Sequence, residues 1–293
     1  MIARLAAASA ALALLQQGGA PFRAETRLVV VEATVRNTRG ELVTGLTRDA
    51  FTILENGKRQ PIVLFDKDDV PVSLGLLIDN SGSMRTKRAK VEAAAIDFAR
   101  ASNPLDEMFV LNFADKSRVD VPFTSDVHVL EAGLARVDSI GGTAMRDALA
   151  EGEAYLLQHA RHDRKVLVVI TDGNDNASVT PFAHVRTIAD QHDIAVYATG
   201  LLASQDPHAG RIRRELMDLT EATGGIAYFP TSLEQIDNVA IEMARQIRMQ
   251  YTIGYTPIDQ ALDGSFRRIR VTARGSGPLS VRTRMGYLAS PSS

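Results

Sequence analysis

The stretch "VSLGLLIDNSGSMRT", Val72 to Thr86, decides the fold. Its first half is an apolar run of the kind a strand shows when both of its faces are covered. The run stops at Asp79, and Ser81 and Ser83 follow at alternate positions with Gly82 between them. A chain turning from strand to helix can aim residues 79, 81 and 83 to one side, and Gly82 lets the backbone bend tightly. A buried strand ending in oxygen-bearing side chains suits a parallel sheet, where ligands sit beyond the carboxyl ends of the strands.

The surrounding chain, about residues 70–250, alternates strands and helices. "VSLGLLID", "MFVLNFAD", "KVLVVITD", "IAVYATGL" and "GIAYFP" read as strands. Between them the helical periodicity places Val91, Ala94, Ala95 and Phe98 on one face of a segment whose Lys87, Lys90, Asp97 and Arg100 face water. Further helices are expected at about 126–138, 143–159, 181–191, 210–222 and 232–249. "RVDVPFT" follows its neighbour after a short turn and is expected antiparallel at a sheet edge. The pattern gives an α/β fold with a doubly wound, mostly parallel, Rossmann-like sheet.

The two ends read differently. Residues 21–69 hold "RLVVVEATVRN" and "FTILENGKRQPIVLF", with Asn56-Gly57 as a hairpin turn. Residues 251–293 hold "YTIGYTP", "SFRRIRVTAR" and "LSVRTRMGYLA", each alternating with period two. Neither end has enough strands to stand alone. They are expected to pack together as one small β-sandwich into which the α/β unit is inserted.

Three loops of the α/β unit are rich in oxygen donors: Asp79-Asn80-Ser81-Gly82-Ser83, Gly141-Gly142-Thr143, and Thr171-Asp172-Gly173-Asn174-Asp175. Hard divalent cations take oxygen ligands, and magnesium wants about six in near-octahedral order while keeping several waters. The same residue types also cap helices, so Asp79, Ser81, Ser83 and Thr143 have a structural alternative. Asp172 could simply build a turn with Gly173. Asp175, Asn176 and Ser178 read as polar loop residues, and Asp147 as a solvated helix residue.

The three motifs, in this order, resemble the von Willebrand factor type A (VWA) domain with its metal-ion-dependent adhesion site. The resemblance covers roughly Pro71 to Tyr251. It implies that Ser81, Ser83 and Thr143 offer hydroxyls to a metal, with Asp79 and Asp172 acting directly or through water. It also implies that a carboxylate from a bound partner completes the coordination. The metal would be Mg2+, with Mn2+ or Ca2+ as alternatives. The flanking pieces, "VVEATVRNTRGELVTGLTRDAFTILENGKRQPI" and "YTIGYTP", look like those of a bacterial VWA-related family of exported proteins.

Composition narrows the function further. The chain has 293 residues, no cysteine and a formal charge of -2. Disulfides, thiolate metal sites and a cysteine nucleophile are therefore excluded, and nothing global draws the chain to nucleic acid. The arginines at 267, 268, 270, 274, 282 and 284 alternate along strands without interleaved aromatics, which suits an outward sandwich face better than a nucleic-acid surface. Arg4 precedes the apolar "LAAASAALALL", Leu5 to Leu15, which resembles a signal peptide over residues 1–20. That stretch is far short of the roughly 20 residues a spanning helix needs. The mature chain is thus expected to be exported, to the periplasm, the cell surface or the medium, and no feature sets its oligomeric state.

No G-x-x-x-x-G-K-[ST] loop, G-x-S-x-G elbow or H-E-x-x-H motif is present, and no histidine is spaced to activate Ser81 or Ser83. A non-enzymatic module that binds a partner's acidic residue through a metal is the leading reading. A magnesium-dependent hydrolase or phosphotransferase and a metal-free scaffold are the alternatives.

Overall fold

The computed structural model describes residues 27–134, 140–173, 175–203 and 205–290. The expected signal peptide lies outside them, as do Asn174 and the end of the helix expected to 138. Four strands come first: β1 (Val29–Asn37), β2 (Phe51–Glu55), β3 (Lys58–Gln60) and β4 (Ile62–Asp66). β2 and β3 form the expected hairpin, and its two turn residues, Asn56 and Gly57, have φ of 48° and 82°. Positive φ at both positions matches the right-handed twist of the paired strands.

The α/β unit runs through β5 (Ser73–Asp79), α1 (Arg88–Ala101), β6 (Glu107–Phe113), β7 (Ser117–Thr124), α2 (Val127–Leu134) and α3 (Met145–His159). It continues with β8 (Lys165–Thr171), α4 (Phe182–Gln191), β9 (Ile194–Gly200), α5 (Ala209–Thr223), β10 (Ala227–Tyr228) and α6 (Ile236–Arg248). The sheet has the order β10-β9-β8-β5-β6-β7, parallel except for the edge strand β7. Every residue of β5 and β6 is buried, as continuous apolar runs require when helices cover both faces. Val91, Ala94, Ala95 and Phe98 of α1 pack on one face with Leu130 of α2 and Met243 of α6. Leu149 of α3, Val185 of α4 and Leu216 of α5 pack on the other.

The chain leaves α6 almost directly into β11 (Tyr251–Tyr255), followed by β12 (Phe266–Ala273), β13 (Leu279–Arg282) and β14 (Gly286–Leu288). These pair with the N-terminal strands in two four-stranded sheets, β13-β1-β11-β4 and β14-β12-β2-β3. Val31, Ala33, Ile53, Ile253, Ile269 and Val271 meet in one core shared by both sheets. Tyr255 and Tyr287 each donate a hydroxyl hydrogen bond, at 2.7 and 2.8 Å, to the buried Glu55 carboxylate.

The arginines correct the expectation of an outward face. Arg268 and Arg270 are exposed, but Arg267 is buried between Asp259 and Asp263. Arg284 donates to Val30 O at 2.7 Å and pairs with Asp193 of the α/β unit, so it ties the two parts together. Arg267 leaves its strand on the side opposite Arg268 and Arg270 and is covered by the link that carries Asp259 and Asp263, while Arg284 meets the α/β unit.

Candidate metal centre

The strand order places the carboxyl ends of β5, β6 and β8 side by side, with β5 between the other two. Asp79 closes β5 and is fully buried. Its Oδ1 accepts the Ser81 amide at 2.8 Å, and its Oδ2 accepts the Thr171 hydroxyl, from the end of β8, at 2.6 Å. Burial pushes the Asp79 carboxyl above its ordinary value, the hydrogen bonds from Thr171 and Ser81 oppose that rise, and the nearby Asp172 charge adds to it. A cation in this place would relieve both the burial cost and the repulsion.

From Asp79 the chain turns through a short 3-10 segment, Gly82–Met84, before α1. Ser81 and Ser83 hydroxyls lie 3.1 Å apart, and Ser83 donates to Asp172 Oδ1 at 2.7 Å. Asp79, Ser81, Thr143 and Asp172 are buried, whereas Ser83 is exposed and marks the open side. Thr143 reaches the group from the Gly141-Gly142-Thr143 loop. A Cβ on Gly173 would sit 3.2 Å from Thr143 Oγ1 and 3.9 Å from Asp79 Oδ2. A glycine at 173 thus keeps a hollow between a hydroxyl and a carboxylate that any other side chain would crowd.

All five expected residues are therefore brought to one end of the sheet. Side-chain capping does not describe them: Ser81 stands in the cap position of the 3-10 segment, and Lys87 and Ala144 in those of α1 and α3, but none of the three makes a side-chain cap hydrogen bond. The donors are two carboxylates and three hydroxyls, which fits a hard divalent cation. Among the described residues no cluster of three or more histidine, aspartate or glutamate side chains could hold a metal, so any site here depends on its hydroxyls.

Several residues that hold the site went unread in the sequence. Lys87, expected to face water, instead directs its ammonium to Asp172 Oδ2. Asp115, just beyond β6, accepts the Gly142 amide at 2.8 Å, and Asn176 accepts the Thr143 amide at 2.9 Å. An acid closely following a strand that neighbours β5 was the available signal for Asp115. Arg88 is buried and donates to Asn80 Oδ1 at 2.9 Å and Asn112 Oδ1 at 3.0 Å, bracing the first loop against β6.

Asp175 and Asp147 are structural rather than free polar groups. Asp175 accepts the Arg146 amide at 2.8 Å and its guanidinium Nε at 3.0 Å, together with the Ser178 hydroxyl at 2.7 Å. Burial works against its charge, but Arg146 and Ser178 outweigh it and hold the carboxyl below the ordinary range. Asp147, expected on a solvated face, accepts the amides of Val179 and Thr180, the latter at 2.8 Å, and pins the loop before α4.

Residues 74–174 match the family model described as the von Willebrand factor type A domain. An uncharacterized protein of Mycobacterium tuberculosis is 30% identical over 120 residues, which cover 39% of this chain and 19% of that protein. The match thus spans only a small part of that relative's length. Among solved structures, a von Willebrand factor type A protein from Catenulispora acidiphila has a TM-score of 0.54 at 14% identity, covering 91% of this chain and 75% of that one. Proximal thread matrix protein 1 from the mussel byssus, with a zinc-occupied MIDAS motif, also has a TM-score of 0.54 at 14% identity, over 66% of this chain and 50% of that one. An aerotolerance-related membrane protein from Bacteroides fragilis has a TM-score of 0.50 at 15% identity, over 60% of this chain and 98% of that one. At these identities the structural likeness speaks to the fold. Among the described residues no helix is long and apolar enough to cross a membrane.

Proposed function

We propose that this chain, which carries a von Willebrand factor type A domain across residues 74–174, is a non-enzymatic binding module that captures a protein partner's carboxylate through a divalent cation. The residues that would hold the cation are Asp79, Ser81, Ser83, Thr143 and Asp172. Magnesium is the proposed ion, with manganese or calcium as alternatives. When bound, the ion would supply a Lewis-acidic position to which a partner's oxygen could attach.

The observation that carries this reading is the convergence of three loops in which only two of five donors are acids, linked by the Ser83 hydrogen bond to Asp172 at 2.7 Å. Two carboxylates only just match a divalent charge, and both already accept hydrogen bonds from the protein. An incoming carboxylate would therefore still be attracted in a sheltered site. A set of four or five carboxylates would instead quench the ion and leave it structural. Export, with 1–20 as a signal peptide, is part of the proposal, as is the division into 21–69, 70–250 and 251–293.

The test is retention of envelope proteins on the immobilised full chain in magnesium and in chelator, beside Asp79→Ala. The proposal expects a set of proteins held in magnesium, released by chelator and absent from Asp79→Ala. Identical sets in all three conditions would overturn it. Metal-dependent turnover of phosphate or ester substrates, lost in Asp79→Ala, would favour the hydrolase reading.

A further inference from the structure

One end of the sandwich lies away from its junction with the α/β unit. The chain passes to and from that unit after Asp66 and before Tyr251, whereas at the other end of the same strands Tyr255 pairs with Val29 and with Ile62. From Tyr255 a link over 256–265 crosses to Phe266 of β12. The Asn56-Gly57 turn lies beside it, with the Asn56 amide donating to Arg268 O at 2.9 Å, and Arg27 donates to Ser290 O at 3.2 Å at the same end.

Leu28, Val63, Leu64, Ile258, Leu262 and Phe266 gather here, each between 39% and 63% exposed. Leu28 and Leu64 meet over Gly254, where a Cβ would stand 2.8 Å from Leu64 Cβ and 3.2 Å from Leu28 Cδ1. Phe266 lies over Gly286, where a Cβ would stand 2.6 Å from its Cζ. The link is held by the Ile258 amide on Gln60 Oε1 at 3.0 Å and by Arg267 on Asp259 and Asp263. Exposed apolar side chains held together in this way mark an interaction surface.

The sheet face beside them is cationic. The outward residues of β2 and β12 are Thr52, Leu54, Phe266, Arg268, Arg270 and Thr272. Register sets Arg270 opposite Leu54 and Leu54 opposite Arg59, so the three arginines leave on one side. Among the described residues no acid pairs with Arg59, Arg268 or Arg270, whereas Arg267, on the inner side, already holds the two aspartates of the link. At a rise of about 3.3 Å per residue, Arg268 and Arg270 step back from Phe266 by roughly 7 Å each.

A nucleic-acid surface needs several stacking aromatics, and of the six apolar residues only Phe266 is aromatic. A phospholipid surface takes aliphatic and aromatic side chains into its headgroup layer and draws arginines to its phosphates. We infer that this end of the sandwich seats on an anionic phospholipid surface, with Ile258, Leu262 and Phe266 entering the headgroup layer and Arg59, Arg268 and Arg270 meeting its phosphates. The α/β unit meets the sandwich at the starts of its strands, through Arg164 on Glu32 at 3.9 Å and Asp193 on Arg284. β5 runs from there to Asp79, which carries the metal centre about 20 Å beyond the junction. A chain seated in this way keeps that centre open to a partner.

The test is co-sedimentation of residues 21–293, the whole chain after the proposed signal peptide, with phosphatidylcholine vesicles and with vesicles in which about a third of the lipid is phosphatidylglycerol. Working in EDTA separates this outcome from that of the metal centre. Binding to the anionic vesicles is expected, at least about tenfold tighter than to phosphatidylcholine alone, and weakened about tenfold or more by Arg59→Glu with Arg268→Glu, since each basic group contributes about fivefold. Ile258→Asp with Leu262→Asp should weaken it as well. The chain has no tryptophan, so the emission of Leu262→Trp reports entry directly and should shift to the blue on anionic vesicles alone. Absence of binding, equal binding to the two vesicles, native binding by the charge variant, or an unmoved emission would each overturn the inference. Binding of soluble polyglutamate as tight as that of the vesicles would assign the face to an acidic polypeptide and overturn it too.

Discussion

Asp79 and Glu153 are both fully buried carboxyls of the α/β unit, and their surroundings are opposite. Asp79 receives the Ser81 amide and the Thr171 hydroxyl, whereas both oxygens of Glu153 lack a hydrogen-bond partner. Burial, with the Asp190 charge nearby, pushes Glu153 up to about 9, so it keeps its proton at neutral pH. The contrast shows what the first loop and the end of β8 are built for. They give the Asp79 carboxyl hydrogen-bond donors that oppose its upward shift, while Glu153 on α3 has none and is kept neutral by burial and the Asp190 charge.

Replacing Glu153 by Leu should sharpen this comparison most. Its folded value lies above the unfolded 4.5, so its stabilising contribution is full below pH 4.5 and is lost as pH rises toward 9. Glu153→Leu should raise stability at pH 8 by about 1–3 kcal/mol and flatten the decline between those limits, as read by urea unfolding. An unchanged slope would mean that Glu153 finds a partner after all. Thr171→Val should move Asp79 toward the condition of Glu153, costing about 1–2 kcal/mol and weakening magnesium binding. Calorimetry showing native affinity in that variant would break the comparison. Lys87→Ala should cost about 1–2 kcal/mol: Lys87 is itself partly exposed, but its loss leaves the buried Asp172 carboxylate with the Ser83 hydrogen bond and no cation. It should nonetheless raise metal affinity severalfold, since the ammonium on Asp172 repels an incoming cation.

Much of this arrangement was legible in the sequence. Continuous apolar runs identified β5 and β8, period-two alternation identified the terminal strands, and the acids and hydroxyls at strand ends pointed to loops that meet at one end of the sheet. Lys87 was misread because helical periodicity assigns a residue to a face but does not say which loop crosses that face. Asp115 was missed because its role depends on β6 lying beside β5, which is a matter of sheet order. Glu153 gave no signal at all, since a glutamate in a helix reads as solvated unless both neighbouring layers are known.

The central claim is that Asp79, supported by Ser81 and Thr171, anchors a divalent cation with Asp172 and the three hydroxyls. Calorimetric titration of magnesium and of manganese into the chelated full chain, beside Asp79→Asn, tests it most directly. Saturable binding at one site in the native chain, absent from a folded Asp79→Asn, is the predicted result. No metal-linked heat at millimolar concentration, or equal binding by both proteins, would contradict it.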